Sequence, residues 1–324
     1  MKSKIIDYLP IRIRQKIENK IGQDYMKLEE IRLRNSSPII LKFNDKEIIT
    51  EINIEQRDIK ETLQYICENS IYAYQNEINH GYITIKGGHR VGITGNCVIE
   101  NNKVINISYI YSLNFRISKE IIGSADEIIP YIIKSDSKIY STLIISPPGA
   151  GKTTILRDLV RQLSNGINTL NFHGKNVGVV DERGEIGAMH RGIPQNNLGI
   201  RTDILDNVPK SVGMEMLIRS MSPEIIVADE IGNQDDVNSI NYANTCGIKG
   251  IFTAHGDSID DLYSRQSLNK LIDSNVFELL IFLDKFKKGR IKEIYYLDKK
   301  EKDSSKKYKQ WIIYKRGENI LCGL

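Results

Sequence analysis

The chain has 324 residues, with 45 Lys/Arg against 41 Asp/Glu for a net charge of +4, and 40% hydrophobic residues. That is enough apolar material for a packed core and rules against an intrinsically disordered chain. Four cysteines far apart in sequence, Cys67, Cys97, Cys246 and Cys322, offer neither a disulfide framework nor a C-x-x-C zinc site, and no apolar run approaches the about 18 residues of a membrane span.

The start, Met1-Lys2-Ser3-Lys4-Ile5-Ile6-Asp7, places charge where an export signal has its apolar core. A cytoplasmic protein is therefore expected, peripheral to a membrane at most. Residues 1–135 read as a mixed α+β domain. A helix is expected near Lys4–Lys20, paired strands over Leu28–Thr50, and a helix over Glu55–Glu68 on the spacing of Ile59, Leu63 and Ile66, extended by Ile71–Ile78. Short strands follow at Gly81–Lys86, Arg90–Thr94, Asn96–Ile99 and Val104–Ile107, with Gly87-Gly88 and Asn101-Asn102 as turns. A helix from about Lys119 to Lys134 should lead to a polar boundary at Ser135-Asp136-Ser137-Lys138.

Residues 136–290 alternate strand and helix. The strands Leu143–Ile145, Val177–Val180, Ile225–Ala228, Gly250–Thr253 and Leu279–Leu283 are apolar at nearly every position. Such runs fit a parallel sheet covered on both faces, with its site at the carboxyl ends of the strands. Residues 291–324 form the basic end, with strands at Ile291–Leu297 and Trp311–Tyr314. From Asp284 to Glu318 there are thirteen Lys/Arg and six Asp/Glu, a net +7 that leaves the rest of the chain at −3. A basic end could touch nucleic acid, anionic lipid or an acidic partner, but a solvated lysine-rich hairpin is the favoured reading, and nucleic acid is not expected as a partner.

The most informative stretch is Ile144-Ile145-Ser146-Pro147-Pro148-Gly149-Ala150-Gly151-Lys152-Thr153-Thr154. An apolar strand runs into a glycine-bearing loop that ends in Gly-Lys-Thr-Thr and opens a helix. These are the requirements of a phosphate-binding loop for ATP. Gly149 and Gly151 let backbone N–H groups turn inward, and Lys152 brings charge to the β and γ phosphates. Thr153 completes the shell of a Mg²⁺ ion, and the helix dipole faces the anion. Ser146 stands where the general G-x-x-x-x-G-K-[ST] pattern has its first glycine, a place serine can take if its φ is negative.

Each further strand of this domain ends in residues suited to phosphate chemistry. Ile225-Ile226-Val227-Ala228-Asp229-Glu230 reads as a Walker B strand, with Asp229 supporting Mg²⁺ through water and Glu230 polarising the attacking water. Val180-Asp181-Glu182-Arg183-Gly184-Glu185 offers three carboxylates, Glu182 and Glu185 foremost, to support metal or water. His255, in Thr253-Ala254-His255-Gly256, is placed to report the γ-phosphate. An arginine finger could come from Arg90, Arg116, Arg183 or Arg219, and the sequence does not choose among them.

These strings resemble the acidic box, Walker B region and histidine box of the type II and type IV secretion ATPases, which are hexameric RecA-like motors. Longer strings, Tyr82-Ile83-Thr84-Ile85-Lys86-Gly87-Gly88-His89-Arg90-Val91-Gly92, Asn114-Phe115-Arg116-Ile117, Ser146-Pro147-Pro148-Gly149 and Lys152-Thr153-Thr154-Ile155-Leu156-Arg157-Asp158, resemble the stage III sporulation protein AA family. In that family Ser-Pro-Pro-Gly at the loop is usual. The type II branch often has glycine before the Walker B glutamate. Asp229 there brings this chain nearer to ordinary RecA-like sites.

The resemblance implies an α/β, RecA-like ATPase domain with a mainly parallel sheet, preceded by a smaller α+β domain. It implies a homo-hexamer in the mother-cell cytoplasm, acting with membrane-embedded channel proteins that join mother cell to forespore. It further implies that first-domain arginines, Arg90 and Arg116, act on a neighbour's nucleotide. The alternatives are a nucleic-acid-dependent ATPase and an ATP-gated scaffold with little turnover.

Overall fold

A computed structural model describes residues 5–274, 276–297 and 310–315, the last six by their backbone. The chain divides into two compact units, residues 1–119 with 188–195, and residues 120–187 with 196–324. Among the described residues no helix is long and apolar enough to cross a membrane.

The first unit is a six-stranded antiparallel sheet. Its strands are β1 (Leu28–Arg34), β2 (Pro38–Phe43), β3 (Glu47–Asn53), β4 (Tyr82–Ile85), β5 (His89–Glu100) and β6 (Lys103–Arg116), in the order β3-β2-β1-β6-β5-β4. Period-two alternation buries Ile31, Leu33, Ile39, Leu41, Val91, Leu113 and Phe115 in one core. Helices α1 (Ile11–Ile21) and α2 (Gln56–Ile66) add Ile13, Ile17, Ile59 and Leu63 to it. The first helix begins after Pro10, later than the expected Lys4, because proline has no N–H to continue a preceding turn. Arg90–Thr94 and Asn96–Ile99 prove to be one strand, irregular at Gly95, and Asn101 and Asn102 turn it with φ of 47° and 62°.

The second unit is built on an eight-stranded sheet. Its strands are β7 (Thr142–Ser146), β8 (Val177–Asp181), β9 (Thr202–Asp206), β10 (Ile225–Ala228), β11 (Lys249–His255), β12 (Leu279–Leu283), β13 (Ile291–Leu297) and β14 (Gln310–Lys315). The order is β9-β8-β10-β11-β7-β12-β13-β14. The first six are parallel and the last two antiparallel. Successive residues of one strand feed opposite cores. Ile144, Val179, Val227 and Ile281 join the core under helix α3 (Lys152–Asn165). Ile145, Val180, Ile226 and Phe282 join the core under α4 (Lys210–Met221) and α5 (Gln234–Thr245). This is the mostly parallel α/β sheet, covered on both faces, that the apolar runs predict. The basic end contributes β13 and β14 to the same sheet, and its lysine-rich turn, residues 298–309, lies outside the described residues.

The expected helix over Lys119–Lys134 does not form. Gly123 turns the chain at φ +83°, Asp158 takes the Ala125 N–H at 2.9 Å, and only Ile129–Ile132 is helical. Ala125, Ile128, Ile129 and Ile132 are buried in the core of the second unit. The division therefore falls between residues 119 and 120, and the polar Ser135–Lys138 stretch makes a small hairpin turn inside that unit. Residues 188–195 join the first unit through bonds such as Gly87 N–H to Gln195 Oε1 at 2.8 Å.

Candidate active site

Strand β7 ends at Ser146, which is buried and is not among the residues with positive φ, as its place in the loop requires. Pro147, Pro148, Gly149, Ala150 and Gly151 carry the chain round to α3. Gly149 and Gly151 have φ of +77° and +98°, values that an L side chain rarely adopts. Lys152 and Thr153 open the helix, and its first N–H groups and dipole are directed at the loop. A segment the sequence left unassigned supports the loop from outside, because Gly289 N–H donates to the Ala150 carbonyl at 2.9 Å.

Lys152 is only 6% exposed. Its ammonium donates to the Ser146 carbonyl at 2.9 Å, to Ser146 Oγ at 3.2 Å and to His255 Nδ1 at 3.1 Å. Burial pulls its pKa below the ordinary 10.5, and the nearby charges of Asp229 and Glu230 oppose that shift. His255 lies opposite Ser146 in the β11–β7 register, which is why a residue about a hundred positions away reaches the loop.

Asp229 and Glu230 follow β10, beside β11. Thr153 Oγ1 donates to Asp229 Oδ2 at 2.6 Å, so the helix hydroxyl and the Walker B carboxylate already face each other. Two hard oxygen donors at that separation suit Mg²⁺. Among the described residues no group of three or more His, Cys, Asp or Glu could hold a metal ion. An ion here would have to share its shell with water and phosphate oxygens. Glu230 has φ +54°, a left-handed conformation costing a non-glycine residue of order 1 kcal/mol. It is held there by its N–H, which donates to Thr253 Oγ1 at 2.8 Å, while the same Thr253 hydroxyl donates to Asp229 Oδ1. Its carboxylate is gripped on both oxygens: Oε1 by His255 Nε2 at 3.0 Å, and Oε2 by Arg183. With the Lys152 ammonium donating to Nδ1, the imidazole that satisfies both contacts carries its proton on Nε2.

Glu182, Arg183, Glu185, Asp229 and Glu230 line one small cavity, so the acidic box and the Walker B pair do converge. Their partners differ. Asp181 is buried and accepts the N–H groups of Glu185, Ile186 and Gly187, which makes it the organiser of the turn. Glu182 pairs with Lys210 at the start of α4. Arg157 of α3 donates to the Glu185 carbonyl at 2.8 Å. Burial pulls the Arg157 guanidinium down in pKa against the pull of Asp181, Glu185 and Asp229.

Thr253, Lys210 and Arg157 are members of the site to which motif reading gave no role. Each is an ordinary residue in its own segment, and only strand register and helix packing give it a partner. Thr154 accompanies Thr153 at the helix start, and its carbonyl accepts from Ser124 Oγ at 3.1 Å. Arg219 is not drawn in: it pairs with Glu215 one turn back on α4. Arg90 and Arg116 belong to the first unit. They are opposite each other on β5 and β6, with Arg90 lying over the Tyr82 ring at 4.1 Å.

The family model described as sporulation stage III, protein AA, matches residues 1–302. Stage III sporulation protein AA of Bacillus subtilis (strain 168) is 37% identical over 294 residues, covering 90% of this chain and 94% of the relative. Among solved structures, the Legionella pneumophila ATPase DotB superposes with a TM-score of 0.54 at 14% identity, over 94% of this chain and 80% of DotB. The pilus retraction motor PilT, solved with bound ADP, gives a TM-score of 0.56 at 12% identity, over 85% of this chain and 78% of PilT. At those identities the likeness to both is one of fold.

Proposed function

The chain belongs to the sporulation stage III protein AA family, and on that premise we propose that it is an ATPase of the sporulation machinery. It hydrolyses ATP to ADP and phosphate to power or assemble the channel that joins mother cell to forespore. The observation that carries the reading is the meeting of Thr153, Asp229 and Glu230 beside the glycine loop, with Thr153 and Asp229 at 2.6 Å.

In this reading the N–H groups of residues 149–154 and the Lys152 ammonium hold the β and γ phosphates. Thr153 and Asp229 would hold Mg²⁺, which would supply charge neutralisation for the triphosphate. Glu230 accepts the proton of the water whose oxygen attacks the γ phosphorus. The bond to the β–γ bridging oxygen breaks, and ADP and phosphate leave. Glu182 and Glu185 shape the water's approach, and His255 senses the γ-phosphate.

The protein acts as a homo-hexameric ring at the inner face of the membrane in the mother cell. Arg90 and Arg116 of one subunit complete the neighbour's site, and motion passes to membrane-embedded channel proteins. The cross-strand pairing of two arginines supports their joint use on one anion. Phosphate release and ATP binding by the purified protein test the catalytic part. Glu230→Gln should abolish release while ATP still binds, and Lys152→Ala should weaken ATP binding by about tenfold or more. Undiminished release in the first variant, or unchanged affinity in the second, would remove the role assigned to that residue.

A further inference from the structure

Lys152, His255, Glu230 and Arg183 form one line of contacts. Lys152 meets His255 at 3.1 Å, His255 meets Glu230 at 3.0 Å, and Arg183 pairs with the other Glu230 oxygen. The base assigned to the attacking water therefore has both carboxylate oxygens engaged by the protein's own donors.

Arg183 differs from its neighbour Glu182 in exposure, 63% against 36%. Asp181 is tied down by three backbone N–H groups, Glu182 by Lys210, and the turn closes through Gly184, whose N–H donates to the Asp181 carbonyl at 3.2 Å. The backbone under Arg183 is thus fixed, while its side chain is 63% exposed. A guanidinium binds phosphate oxygens as readily as a carboxylate, and in the same forked geometry.

We propose that Arg183 is a positioning residue with two anionic partners, the Glu230 carboxylate and the terminal phosphate of a bound nucleoside triphosphate, and that it passes from the first to the second when the triphosphate binds. The inference rests on the ATPase reading of the site. Lys152 would be drawn to the same phosphates, so His255 loses a donor as Glu230 loses its guanidinium. Of the two changes, only the departure of Arg183 requires a γ-phosphate, and it frees the Glu230 oxygen for water. A nucleoside diphosphate lacks the oxygens that would draw Arg183 away, so Glu230 stays held after hydrolysis. The exchange makes the site distinguish substrate from product.

Equilibrium binding of ADP and of the β,γ-imido analogue of ATP to the full chain tests this, with Mg²⁺ present. Arg183→Ala should lose about tenfold in affinity for the analogue, the size expected for one charge-assisted contact, and keep its affinity for ADP. Arg183→Lys should recover part of the loss. Glu230→Gln, which removes the competing carboxylate, should tighten analogue binding, and that gain should shrink in the Arg183→Ala background. An unchanged ratio of analogue to ADP affinity in Arg183→Ala, or an equal loss of both ligands, overturns the proposal. Failure of the unaltered protein to bind either ligand would instead overturn the ATPase reading on which it stands.

Discussion

At position 253 one hydroxyl does two jobs: it accepts the Glu230 N–H at 2.8 Å and donates to Asp229. It is fully buried, so its partners cannot turn to water if it is lost. Thr253→Val keeps the shape and removes both bonds. It should cost about 1–3 kcal/mol of stability and lower turnover at least about tenfold, with Thr253→Ser restoring much of it. Thermal unfolding and phosphate release read the two effects, and a Val variant with normal turnover would show that Glu230 is held by other means. Lys152 makes a pH prediction. Burial lowers its pKa in the folded chain, so between that lowered value and the ordinary 10.5 the unfolded chain binds more protons. Stability from this group therefore rises with pH through that window. Denaturation of wild type against Lys152→Met, from neutral pH towards 10.5, should show wild type gaining on the variant. A constant difference would mean that the ammonium is not desolvated.

The elements that carry the site were legible where local pattern suffices. Strands apolar at nearly every position announced the covered sheet, and Gly149, Gly151 and Lys152 announced the loop, because each answers a demand made within a few residues. His255 was legible for its place at a strand end. What the sequence did not show is set by distant partners. The Lys119–Lys134 segment has helical composition, yet Gly123 and the Asp158 carboxylate, a residue of another helix, fix it otherwise. The membership of residues 188–195 in the first unit likewise depends on Thr84 and Gly87, about a hundred residues earlier. Helix α4 shows the same dependence. A methyl group at Gly213 would lie 2.5 Å from Val180 Cγ1 and 2.9 Å from Val208 Cγ1. Alanine would favour the isolated helix by roughly 1 kcal/mol, but the helix cannot keep its approach to β8. Gly213→Ala should therefore destabilise by about 1–3 kcal/mol in urea unfolding. It should also slow hydrolysis by shifting Lys210, which holds Glu182. A stabilised variant would show that α4 has room to move.

The whole molecule shares its fold with DotB and PilT and belongs to a sporulation family; in the proposed function Glu230 turns over ATP in an assembled ring. Arg90 and Arg116 sit in the first unit, while the loop, Asp229 and Glu230 sit in the second. In the proposed ring, both sets meet one nucleotide across neighbouring subunits, so turnover is expected to depend on assembly. Raising ionic strength should weaken an arginine-dependent ring and lower turnover with it. Turnover that persists after the ring has dissociated would argue for a self-contained site. The most direct measurement is phosphate release per subunit across protein concentration, with subunit mass recorded at each point and Glu230→Gln as the blank. The account predicts release that rises as the chain assembles and is absent from the blank. Equal release from the blank, or none from fully assembled protein, would contradict it.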